Sequence, residues 1–145
     1  MAYRPSHVGL CVSDIERSLR FYCEGLGFEV SDGIDLDSDQ VPGLDQALEV
    51  PARTVLRSQM IVLDNLKIEL LHYTEPAVEG TPSSRRNRRG LTHLSFCVDD
   101  LDASIARLLE CGGTLVEGTR QSPGVELVFV ADPDGTRVEL MEQPS

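Results

Sequence analysis

Basic residues are scarce in this chain. Thirteen Lys and Arg stand against 24 Asp and Glu, a net charge of −11. That balance argues against nucleic acid and anionic membrane as partners, since both are polyanions. No apolar run approaches the roughly 20 residues that cross a bilayer. The opening MAYRPSHVGL lacks the charged and then apolar regions of a secretory signal. Cysteines number four, and none stands at CxxC or zinc-ribbon spacing. They are expected as reduced thiols in a cytoplasmic protein. What remains is ordinary for a globular chain: 145 residues, 41% hydrophobic, enough for one domain spanning 1–145.

The chain does contain a repeat. His93 to Gly113, HLSFCVDDLDASIARLLECGG, falls without a gap on His7 to Gly27, HVGLCVSDIERSLRFYCEGLG, after a shift of 86 residues. His7 matches His93, Cys11 matches Cys97, Asp14 matches Asp100, and Gly27 matches Gly113. Farther on, Ile68-Glu69-Leu70-Leu71 answers Val138-Glu139-Leu140-Met141. Each half therefore opens on a histidine strand and closes on a glutamate strand. A repeat of this length marks two copies of one supersecondary unit, each too small to bury its own sheet.

Within the first half, residues 6–12 alternate as a strand, and Ser13-Asp14-Ile15-Glu16 reads as a capping box. Ile15, Leu19, Tyr22 and Leu26 give the following helix one apolar face. Residues 28–30 restart a strand, and 31–50 read as an acidic loop with a short helix near Leu44–Leu48. Asp35-x-Asp37-x-Asp39 does not make a calcium loop, because Gln40 and Gln46 stand where glycine and a bidentate glutamate are required. Residues 53–63 and 66–73 form a hairpin about Asp64-Asn65. In the second half the expected strands are 93–98, 114–117, 125–130 and 136–142, with a helix over 101–111 capped by Asp99 or Asp100. Asp132-Pro133-Asp134-Gly135 is a turn. The modules are thus 6–75 and 91–142, with a connector over 76–90.

The repeat relates four side chains, His7, Glu69, His93 and Glu139. A lone strand histidine is usually structural and a lone strand glutamate usually solvated. Here both recur in register within apolar strands, which favours a site. Imidazole and carboxylate together suit a divalent Zn, Ni, Co, Fe or Mn ion. Four protein ligands leave one or two coordination positions for a substrate. His72 has no counterpart in the repeat and faces away from Glu69. Cys11 and Cys97 share the histidine face but lie about 13 Å along their strands, too far for a metal–sulfur bond.

The stretches HVGLCVSDIERSLRFYCEGLGF, KIELLHY, GLTHLSFCVDDLDASIARL and FVADPDGTRVELME resemble the vicinal oxygen chelate superfamily of glyoxalases, bleomycin-resistance proteins and dioxygenases. The resemblance spans nearly all of 6–142 and implies an α+β fold of the glyoxalase-like type. In that fold two βαβββ modules form a cleft-shaped mixed sheet. It also implies that His7, Glu69, His93 and Glu139 bind the metal, with Glu139, and after it Glu69, as the catalytic base. Short relatives often build their cleft between chains, so a homodimer is expected.

The activity implied is that of a metal-dependent isomerase, epimerase or lyase. It would remove a proton beside the chelated carbonyl of a small molecule with vicinal oxygens. Glyoxalase I has arginine and asparagine at the positions of Cys11 and Tyr73, and both grip glutathione, so a glutathione substrate is not expected. Two other readings stay open. An extradiol-type dioxygenase would use two histidines and one carboxylate, against which Glu69 stands as a fourth ligand. A non-catalytic antibiotic-binding protein generally loses the ligands retained here. The run Arg85-Arg86-Asn87-Arg88-Arg89 reads first as a solvated connector, and second as a clamp for a carboxylate, phosphate or coenzyme A tail.

Overall fold

Alternation with a period of two sets the strands of each half. In the computed structural model, which describes residues 1–122, 124 and 126–142, the first half holds β1 (Val8–Cys11), β2 (Glu29–Asp37), β3 (Val55–Leu63) and β4 (Leu66–Glu75). The second holds β5 (Leu94–Val98), β6 (Thr114–Leu115), β7 (Leu127–Ala131) and β8 (Arg137–Glu142). The helices are α1 (Ile15–Leu19), continued by a π-helical turn over Arg20–Gly25, α2 (Leu44–Ala47) and α3 (Leu101–Glu110). Two four-stranded mixed sheets result, in the orders β1-β4-β3-β2 and β5-β8-β7-β6. The identical orders are the βαβββ plan that the repeat requires. The parallel pairs β1–β4 and β5–β8 carry the same register, Gly9 beside Glu69 and Ser95 beside Glu139.

The chain divides into two compact units, Met1–Leu19 with Gly27–Glu79, and Arg20–Leu26 with Gly80–Ser145. In the first unit Val12, Ile61, Ile68 and Leu70 are fully buried. In the second, Leu101, Leu108, Val128, Val130, Val138 and Leu140 are joined by Phe21 and Tyr22. The C-terminal half of the first helix thus belongs with the second unit. Tyr22 Oη donates to the buried Asp132 Oδ2 at 2.8 Å, and the Phe21 ring lies where a side chain on Gly113 would stand. Burial first, then Asp132, pushes the Tyr22 phenol well above its ordinary pKa. Burial also raises Asp132, against the lowering effect of its bonds from Tyr22, Thr136 and Asp134.

Helix starts follow the repeat. Asp100 Oδ1 accepts from Ala103 N at 2.8 Å, and its counterpart Asp14 accepts from Arg17 N at 3.0 Å. At the hairpin, Asp64 takes the positive φ of 50° that a tight turn demands.

The largest difference from expectation is β2, which runs on through Asp37 where an acidic loop was read. Its polar, aspartate-rich sequence hides the strand because it lies at the outer side of its sheet, with both faces open. Arg57 reaches Asp35 at 3.1 Å and Arg53 reaches Asp37 at 2.9 Å, so β3 and its N-terminal approach neutralise those carboxylates. A bulge between Val30 and Gly33 adds one residue to the strand. The buried Gln59 closes it, donating through Nε2 to the carbonyls of Ser31 at 3.0 Å and Asp32 at 3.3 Å. The strand β6 is shorter than the expected 114–117. Val125, expected to open β7, lies outside the described residues.

Candidate metal-binding half-sites

Each module brings its own histidine and glutamate together. His7 immediately precedes β1, and Glu69 lies on the neighbouring β4. Their Nε2 and Oε2 atoms are 3.0 Å apart. His93 and Glu139 repeat the arrangement on β5 and β8 at 3.6 Å. All four side chains are partly open, at 34% and 21% in the first pair and 31% and 15% in the second, so a small molecule can reach them. Among the described residues no three histidine, cysteine, aspartate or glutamate side chains are gathered in one cluster. Each pair is complete within its own unit.

Hydroxyl groups fix both pairs. Ser6 Oγ lies 2.9 Å from His7 Nδ1, and Thr92 Oγ1 lies 2.9 Å from His93 Nδ1. With Nδ1 held, Nε2 of each ring is the nitrogen presented to its glutamate. Ser58 Oγ donates to Glu69 Oε1 at 2.6 Å, and Ser95 Oγ donates to Glu139 Oε2 at 2.7 Å. A ligating histidine almost always has its second nitrogen hydrogen-bonded, which sets its orientation. The distances are of the right order: two ligand atoms each about 2.1 Å from an ion are about 3.0 Å apart at right angles, as in the first pair, and about 3.4 Å apart at a tetrahedral angle, near the second. The donor set and its supports therefore suit a divalent ion.

Ser6 and Thr92 are themselves related by the 86-residue shift. A repeat read from His7 stops one residue short of them, although a hydroxyl residue before each histidine is visible in the sequence. Ser58 carried no such signal, because it reaches Glu69 across the β3–β4 pair. His72 turns away, its Nδ1 lying 3.1 Å from Val12 O. In the second unit the Phe129 ring meets His93 edge-on at 5.4 Å.

Beyond Gly9 and Leu71 on the same face of the first sheet lies a pocket of about 220 Å³, lined by Cys11, Val50, Pro51, Tyr73, Pro76 and Val78 among others. Burial first, then Cys11 and Glu69, raises the pKa of Tyr73.

Residues 4–140 match the family model of the Glyoxalase/Bleomycin resistance protein/Dioxygenase superfamily. The chain belongs to that superfamily. It is 30% identical over 139 residues to the protein YaeR of Escherichia coli, covering 94% of each. To a lactoylglutathione lyase of Pseudomonas aeruginosa it is 27% identical, over 94% of this chain and 81% of that one. A glyoxalase family protein from Bacillus cereus superposes with a TM-score of 0.82 over 100% of this chain and 97% of its own, at 20% identity. That likeness shows the glyoxalase-like fold, in agreement with the strand orders above.

Proposed function

We propose that this superfamily member is a metal-dependent isomerase, epimerase or lyase acting on a small molecule with vicinal oxygens. His7, Glu69, His93 and Glu139 would together hold one Zn, Ni, Co, Fe or Mn ion, and the working form would be a homodimer. The observation that carries the reading is the duplication: two His–Glu pairs, each with its histidine Nδ1 on a hydroxyl and its glutamate on a serine. Superfamily members include a lactoylglutathione lyase, an epimerase and a dioxygenase, so the superfamily alone does not choose the reaction.

The ion, when bound, would polarise a carbonyl of the substrate and make the neighbouring C–H acidic. The protein's own part is to orient the substrate and take the proton. Glu139 is favoured as the base over Glu69. Both oxygens of Glu69 are engaged, by Ser58 and by His7. Glu139 uses Oε2 for Ser95 and His93, and among the described residues Oε1 has no partner. Ser95 keeps the carboxylate turned while Oε1 accepts the proton. The pocket at Cys11 and Tyr73 is largely apolar where a glutathione-specific site needs a cation, which supports a substrate without glutathione.

The test is solvent deuterium exchange into 2-oxo and 2-hydroxycarbonyl compounds by metal-loaded protein. Glu139→Gln should keep the metal, since an amide oxygen still coordinates, and lose exchange by a factor of about 100 or more. Exchange that survives the substitution unchanged would remove Glu139 as the base.

A further inference from the structure

Beside the His93–Glu139 pair lie two guanidinium groups, Arg86 and Arg137, that make no ion pair among the described residues. Arg137 opens β8 two residues before Glu139, so both side chains leave one face of the strand, about 7 Å apart along it. Arg86 arrives from the connector. It donates to the carbonyls of Ser83 and of Thr92, the residue before His93. Its guanidinium lies 5.9 Å from the centroid of Phe129, and Phe129 pairs in register with Glu139. Arg86 is therefore not the solvated connector residue that its basic run suggests. Phe129 stands diagonally across β7 and β8 from Arg137, on the face they share, and burial first, then the charge of Arg137, lowers the pKa of Arg86.

That placement is unfavourable by itself, and four other arginines show how it could be avoided. Arg53, Arg57, Arg107 and Arg120 all lie on carboxylates, in a chain carrying a net charge of −11. Among the described residues neither Arg86 nor Arg137 has such a partner. Arg137 donates to the Gly135 carbonyl at 3.0 Å. A guanidinium has five N–H donors in a planar fork, so most of those on Arg137 and several on Arg86 are uncommitted. Stapling the connector explains the bonds from Arg86 to Ser83 and Thr92. It does not explain the second arginine beside it.

We propose that Arg86 and Arg137 form an anion clamp, holding a carboxylate or phosphate group of the substrate next to His93 and Glu139. A planar fork is the geometry that grips either group through two hydrogen bonds. Only the word substrate rests on the function proposed above; the anion site stands on the arginines alone.

The experiment titrates metal-free protein with inorganic phosphate and, separately, with succinate, following the arginine Nε–H signals by NMR. Saturable shifts are expected at Arg86 and Arg137 and not at the ion-paired Arg57 and Arg107. The stronger of the two probes identifies which anion the clamp prefers. Arg137→Gln should weaken binding by about tenfold, the usual effect of losing a charged hydrogen bond. Arg86→Gln should do the same, and Arg86→Lys should fall between, because it keeps the charge without the fork. Metal affinity of Arg137→Gln, measured by chelator competition, should match the wild type. Absence of saturable shifts, equal shifts at every arginine, or undiminished binding in Arg137→Gln would each overturn the clamp, as would loss of metal in that variant. Arg137 lies on a strand face and supports no connector, so Arg137→Gln remains decisive if Arg86→Gln fails to fold. A wild-type protein that bound no metal would refute the proposed function while leaving this titration intact.

Discussion

Tyr22→Phe tests the packing of the second unit at one atom. The phenol donates at 2.8 Å to Asp132, whose other oxygen accepts from Asp134 N at 2.9 Å and Thr136 N at 2.8 Å. Asp132 is 3% exposed and Tyr22 is wholly buried, so removing the hydroxyl leaves a carboxylate oxygen without its donor in a dry place. A hydrogen bond to a charged group contributes about 1.5–3 kcal/mol, and a loss of about 2 kcal/mol is expected at pH 7. For a chain of this size that lowers the melting temperature by roughly 6–8 °C. The pH dependence carries a further signature. The folded phenol has a raised pKa, so the stability it contributes is fully present below the unfolded value of about 10 and is lost as pH rises through that region. Phenylalanine has no such loss. The gap between wild type and variant should therefore narrow above pH 10, by up to about 1.4 kcal/mol per pH unit. Urea denaturation followed by far-UV circular dichroism measures this, since the chain has no tryptophan. A variant within about 0.5 kcal/mol of wild type at pH 7, with a gap that does not change above pH 10, would refute the reasoning.

Two further outcomes follow from the geometry. Ser6→Ala and Thr92→Val remove the hydroxyls on the two histidine Nδ1 atoms. Each should reduce metal affinity by about 10- to 100-fold in equilibrium dialysis without changing the fold. Gly113→Ala would set a Cβ 2.7 Å from Phe21 Cε2 and 2.9 Å from the Leu108 carbonyl oxygen. Such overpacking should cost about 1–3 kcal/mol in urea denaturation, and an unchanged midpoint would show that the helix end can shift.

The strand plan and the two His–Glu pairs were legible in the sequence because duplication writes each of them twice. A histidine in an apolar strand says little alone, but His7 and His93 in register, each answered by a glutamate, constrain one another. Elements without a copy were harder to read. The Asp-rich half of β2 has no counterpart in the second module, and its charges are balanced by Arg53 and Arg57, which come later in the chain. Arg86 looked like one member of a solvated run, because Phe129, the ring its guanidinium covers, lies far along the sequence. Ser58 is distant from Glu69 in the chain and meets it only through the register of β3 and β4.

The bulged, acidic β2 has a consequence for the protein's behaviour in a crowded solution. An exposed strand with unpaired backbone groups is a template on which another chain can add. Val30 and Ile34 on β2 are more than half exposed, which would make such addition adhesive. The extra residue between Val30 and Gly33 breaks the regular hydrogen-bond ladder, and Glu29 and Asp32 would meet like charges on a second copy. The corresponding strand of the other module, β6, has two residues and offers almost nothing to pair with. The two copies of the repeated unit thus discourage aggregation by different means, one by charge and irregularity, the other by brevity. The first protection is expected to weaken as salt screens the carboxylates, and the second to be indifferent to ionic strength.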